Sequence, residues 1–113
     1  MRDPEASITD ILAYAQRALG YVAGLELESF MQNTASQDQV IRCLEVIGEA
    51  AKRFPSTERD KHPRVPWAQM AGMRNRLAHE YDAIDMESVW LTVVHDLPKI
   101  LAELPTPPAG THA

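Results

Sequence analysis

One cysteine, Cys43, stands alone in 113 residues, so the chain cannot close an intramolecular disulfide or build a cysteine-rich structural zinc site. The four histidines, His62, His79, His95 and His112, are scattered, and no pair has the spacing of a metal motif. No cofactor or metal is expected. Long apolar runs are missing as well. Nothing approaches the ~20 residues of a membrane span, and the opening MRDPEASITD lacks the apolar stretch of a signal peptide. The expectation is a cytoplasmic chain away from membranes. There is no sustained period-two alternation, no cluster of β-branched residues and no internal repeat, which argues against sheet and solenoid folds. The length predicts one domain rather than a two-domain enzyme.

Large aliphatic residues are also few. Leu, Ile, Val and Phe number 25 of 113, near the level below which chains stay unfolded, and Ala, Met, Trp and Tyr must supply the remaining apolar volume. A thin core of this kind favours association with a partner or a second copy. The net charge is −5, an unpromising total for a phosphate binder. Its distribution is uneven. Between Lys52 and Arg76 lie seven Lys or Arg against Glu58 and Asp60, a basic middle in an acidic body.

Helical spacing dominates. Ile8, Ile11, Leu12, Ala15, Leu19 and Val22 predict a first helix from about Ser7, with Ser7 as cap and Asp10 in the first turn. A short turn is expected around Leu27 to Met31. Ser36 and Gln39 have capping-box spacing ahead of a long stripe, Val40, Ile41, Leu44, Ile47, Ala51 and Phe54, which Pro55 ends. The stretch PSTERDKHPRVP reads as a connection with at most one helical turn. Pro66 suits the first position of a helix through Trp67, Met70, Met73 and Leu77 to about His79 or Tyr81. Asp85 can cap a last helix with Val89, Trp90, Val93, Leu97, Ile100, Leu101 and Leu104 on its apolar face, kinked at Pro98. The expected fold is all-α: a four- to five-helix up-and-down bundle over 7–104, between an N-terminal tail (1–6) and a disordered Pro-rich tail (105–113).

The segment Arg74-Asn-Arg-Leu-Ala-His79-Glu-Tyr81 concentrates chemistry that a core helix seldom carries. Asn75 and His79 are four apart and share a helix face, so the amide can orient the imidazole. Arg74 and His79 are five apart, roughly 140° around the axis and about 7.5 Å along it. A regular helix does not set them side by side. Either the helix unwinds between Ala78 and Tyr81, or two copies of the segment face each other across a two-fold axis. Arginines and histidines gathered in one groove suit RNA cleavage by transesterification. The guanidinium holds the phosphodiester, and imidazole takes the 2′-hydroxyl proton or supplies one to the leaving 5′-oxygen.

The string resembles the R-x4-H-x-Y motif of the HepT-like toxins of the HEPN superfamily. Ile47-Gly-Glu-Ala-Ala-Lys52, Pro66-Trp67 ahead of Ala-Gly-Met-Arg-Asn, and Asp96-Leu97-Pro98 are similar to that family too, so the likeness spans roughly residues 7–104. It implies a homodimeric, metal-independent ribonuclease toxin with Arg74 on the phosphate and His79 as general acid or base. It also implies that Tyr81 accepts AMP from a partner nucleotidyltransferase antitoxin. A reading from another class is a noncatalytic helical adaptor, or a nucleotide-binding subunit, of a nucleotidyltransferase. Simpler uses exist for individual residues. His79 suits the negative end of a helix dipole, and Tyr81 can be a packing residue. Trp67, Trp90, Met70 and Met73 suit core or interface. Glu49, among small and apolar neighbours on the long helix, needs a cation, with Arg42, Lys52 or a motif arginine as candidates and a structural pair favoured over catalysis.

Overall fold

The computed structural model describes residues 3–79 and 84–106, and it is helical throughout with no strand among the described residues. The elements are α1 (Pro4–Val22), α2 (Leu27–Met31), α3 (Thr34–Arg53), α4 (Ser56–Arg59), α5 (Trp67–His79), α6 (Met86–Leu91), a π-helical turn (Thr92–Asp96) and α7 (Leu97–Glu103). With α6 to α7 taken as one interrupted rod, this makes six helices among the described residues where the sequence suggests four or five. The difference is α4, the single turn anticipated in the connection after Pro55. Tyr81 and residues 107–113 of the tail lie outside the described residues.

Four rods enclose the core. α3 packs against α1 on one side and α5 on the other, and α7 lies on α1. Ile11, Ala15, Ala18, Val40, Ile47, Ala50, Val89, Val93, Leu97 and Ile100 are sealed from solvent. Each large aliphatic among them stabilises the fold by about 1.5–3 kcal/mol through burial alone. Phe54 and Trp67 stack at 4.8 Å between ring centroids, tying the end of α3 to the start of α5. The indole Nε1 of Trp67 donates to the His62 carbonyl at 3.0 Å, which satisfies the buried ring's one polar atom. Both tryptophans pack as the sequence suggests, Trp90 lying half-buried against Phe30 at 5.4 Å.

The helix starts correct two expectations. α1 begins at Pro4 and is capped by Asp3, whose carboxylate accepts from Glu5 N; Ser7 sits inside the helix and is buried. Pro fits the first turn because its missing N–H has no partner there. α3 is capped by Asn33, whose Oδ1 accepts from Ser36 N, so Ser36 is the recipient of a cap and not the cap. Its hydroxyl instead donates to the Tyr21 carbonyl at 3.4 Å, joining the end of α1 to the start of α3. Asp85 does cap α6, accepting from Glu87 N and from the Ser88 hydroxyl. Pro66 stands one position before α5 and its carbonyl accepts from Met70 N.

Two features shape the ends of the rods. Arg59 folds back so that Nε donates to the Phe54 carbonyl at 3.1 Å and Nη2 to those of Ala51 and Lys52 at 2.9 and 3.2 Å. These nitrogens add donors at the end of α3, where backbone N–H groups run short and Ala51 O alone of the three carbonyls also accepts from Phe54 N, at 3.2 Å. In the last rod, Pro98 follows a wider turn in which Leu97 N donates to the Thr92 carbonyl, five residues back. A ring that cannot donate and that crowds the preceding turn is accommodated by this bulge rather than by a break.

Candidate functional site

The contact between α3 and α5 is set by Gly48. A Cβ at that position would stand 2.8 Å from the Met70 carbonyl oxygen and collide with Arg74 Cβ. Glycine therefore lets the α5 backbone lie directly on α3, and it does so one residue before Glu49. The Glu49 carboxylate then meets Arg74 across the helix pair, with Nε 2.9 Å from Oε2. Its other oxygen lies 3.7 Å from Arg53 Nη1, one turn further along α3. Glu49 thus finds its cation in the motif arginine, with Arg53 as a looser second partner.

Arg42, Glu45, Val46, Glu49 and Arg53 repeat at helical spacing on the face of α3 away from its core stripe. Together with Arg74 they line an open groove of about 260 Å³. Three arginines and two carboxylates make this groove cationic by one charge. Arg74 is partly shielded, its side chain 28 % exposed, and the paired Glu49 is 37 % exposed. Anchoring through Nε orients the guanidinium plane, and Nη1 reaches only to Asn75 Oδ1, at 3.5 Å. A fork held along one edge can present donors to a phosphate or carboxylate oxygen.

Asn75 and His79 are both exposed on α5. The structure brings Asn75 to Arg74 and not to His79, because its Oδ1 accepts from the arginine. α5 stays helical through His79, so Ala78 and His79 are not unwound, and the roughly 140° between Arg74 and His79 stands. Arg76 turns towards Met73, with Nη2 at 3.9 Å from the sulfur. Glu80, four residues beyond Arg76, is like Tyr81 outside the described residues. Arg42, Glu45 and Arg53 are groove residues to which the motif gave no pointer. Their signal was a polar stripe at three- and four-residue spacing opposite the apolar stripe of the same helix.

Elsewhere on α3, Cys43 is buried, and burial pushes its thiol up, only partly offset by the charges of Arg17 and Arg42. It is a packing residue in an unreactive state. Among the described residues no group of three or more His, Cys, Asp or Glu could hold a metal ion. No helix in them is long and apolar enough to cross a membrane.

The sequence matches the family described as "Ribonuclease HepT-like" over residues 11–106. It is 41% identical over 102 residues to "Putative RNase MJ1216" of Methanocaldococcus jannaschii, covering 90% of this chain and 84% of that one. It is 34% identical over 100 residues to "Putative RNase TTE0752" of Caldanaerobacter subterraneus, covering 88% and 89%. Over 73 residues it is 42% identical to "Probable ribonuclease HepT" of Thermococcus cleftensis, covering 65% and 66%. No solved structure matches the chain.

Proposed function

The chain belongs to the HepT-like ribonuclease family, and on that premise we propose that it is the toxin of a type II toxin–antitoxin pair, an endoribonuclease that needs no metal. Two copies pair as up-and-down bundles about a two-fold axis, so that both Arg74 and His79 segments border one groove. The observation that carries this reading is Arg74 held by Glu49 at the edge of a cationic groove, five residues before an exposed imidazole. That spacing leaves arginine and histidine on different faces of one helix, and a second copy supplies the missing neighbour.

In the reaction, Arg74 holds the non-bridging oxygens of the scissile phosphate. One His79 accepts the 2′-hydroxyl proton as the 2′-oxygen bonds to phosphorus. The bond from phosphorus to the 5′-oxygen breaks, and the leaving oxygen takes a proton from the imidazolium of the other copy. The products are a 2′,3′-cyclic phosphate and a 5′-hydroxyl. Asn75 steadies the arginine fork. Control acts at Tyr81, whose phenolic oxygen attacks the α-phosphorus of ATP on a partner nucleotidyltransferase and displaces pyrophosphate. The attached AMP brings negative charge beside the groove and repels RNA. The cytoplasm, where RNA and such an antitoxin are at hand, is the compartment this reading requires.

The test is cleavage of RNA by the purified, unmodified protein in EDTA, beside Arg74→Ala and His79→Ala, with analysis of product ends. Cyclic phosphate ends, lost in both variants, are expected. Absence of cleavage over a wide RNA set, from protein whose mass shows Tyr81 bare, would overturn the enzyme in favour of a noncatalytic adaptor of a nucleotidyltransferase.

A further inference from the structure

The charge of this molecule is divided by region. Residues 18–41 and 84–98 contain six Asp or Glu and no Lys or Arg, so about a third of the chain holds more than the whole net charge of −5. The fold brings these two stretches together, because α2 packs on α6 and Phe30 on Trp90. The two exposed large hydrophobic residues among those described, Met31 and Leu91, each 46 % exposed, are also in these stretches, one in each of the two packed helices. Beside Met31, Glu26, Glu28, Ser29, Gln32, Asn33 and Thr34 line a shallow depression of about 470 Å³. Among the described residues no cation pairs with either glutamate. Asp85 and Glu87 add two further exposed carboxylates at the start of α6.

We propose that the α2–α6 face is a docking surface for a partner protein segment that is basic and carries apolar anchors. The apolar part of such a segment covers Met31 and Leu91, which are large side chains otherwise left in water. A Lys or Arg beside it enters the depression and pairs with Glu26 and Glu28, where complementary charge sets register and speeds encounter. The same carboxylates repel a polyanion, so RNA is not the occupant. Nor is a membrane with anionic headgroups, for the same reason. The inference rests on charge and exposure, and it holds whether or not the chain cleaves RNA.

A defined probe tests it: a synthetic amphipathic helix with leucines along one face flanked by arginines, titrated into the isotopically labelled full chain. Chemical shifts should move at Met31, Leu91 and the backbone of α2 and α6. Affinity should fall at least tenfold in Glu26→Lys with Glu28→Lys, and at least tenfold in Met31→Ser with Leu91→Ser. All four positions are on the surface, so both variants should keep the parental melting temperature. A scrambled peptide of equal charge should bind at least tenfold more weakly, and a single-stranded RNA should leave the Met31 and Leu91 methyls unshifted. Equal binding of the scrambled peptide, shifts spread over other faces, or shifts at these methyls on adding RNA would overturn the proposal. So would contacts between these methyls and a second copy in the protein alone.

Discussion

Arg74 meets Glu49 through its Nε edge, 2.9 Å from Oε2, across two helices and not along one. Partly exposed pairs of this kind contribute up to about 1 kcal/mol to stability. The value of the contact lies in direction. A guanidinium tethered at Nε loses rotation about its long stem, while its terminal nitrogens stay available to a ligand in the groove.

Glu49→Gln keeps the shape and one acceptor but removes the charge that fixes the fork. RNA cleavage should fall about tenfold or more through the rate of the bound complex, since misorientation of a binding group costs rate. The melting temperature should barely move. Single-turnover cleavage together with thermal unfolding measures both, and an unchanged rate would show that Arg74 needs no such support.

Gly48 and Gly72 should respond to alanine with opposite signs. At Gly48 the new methyl meets the Met70 carbonyl and Arg74, and overpacking of this type costs about 1–3 kcal/mol. At Gly72 the methyl enters open space on α5, and the helix gains roughly 0.5–1 kcal/mol from the stiffer residue. Denaturant unfolding of the two variants checks the contrast.

Arg59→Ala removes three hydrogen bonds to the carbonyls at the end of α3. Part of the loss is recovered by water, so about 1–2 kcal/mol is expected. That corresponds to a melting temperature lower by roughly 4 °C or more. Arg59 is absent from the groove lining, so cleavage at a temperature well below the transition should be unaffected.

Cys43 gives a pH dependence with a definite sign. Burial raises its pKa in the folded chain above the ordinary thiol value of 9.0. The folded state therefore holds this proton more tightly than the unfolded one, and the associated stability is complete below the unfolded value and is lost as pH rises through the folded one. Unfolding free energy should decline above about pH 9, and less so in Cys43→Ala, where the difference between the two curves isolates the thiol. Below that pH a thiol reagent should label the native protein far more slowly than the unfolded chain.

The apolar stripes at Ile8 to Val22, Val40 to Phe54 and Val89 to Leu104 were legible because helix burial has a strict period. The cap of the last rod, Asp85, was legible too, but those of α1 and α3 were not, since several polar residues precede each stripe and only packing decides which one is left outside the helix. Ser7 and Ser36 had suitable chemistry, but the helices extend past them to Asp3 and Asn33. The R-x4-H segment was readable as chemistry. Its link to Glu49 depends on how closely two helices approach, which one glycine decides and no spacing within α5 reveals. The bulge before Pro98 was foreseen only as a kink, because a proline says where a helix must yield and not whether it bends or widens.

That widened turn has a further effect on phase. Val89, Val93 and Leu97 are spaced by four, and on an uninterrupted α-helix two such steps overshoot two full rotations by about 80°. All three are nonetheless buried, as are Ile100 and Leu104 beyond them. The surplus residue in Thr92–Asp96 absorbs the overshoot, so the two halves of the rod keep one inward side. This part of the chain is consequently lenient about losing a residue. Deleting one solvent-facing residue in the turn would let an ordinary α-helical turn close in its place, with Leu97 then seven positions after Val89 and within about 20° of the same side, whereas inserting one more would swing Leu97, Ile100 and Leu104 out of register with α1.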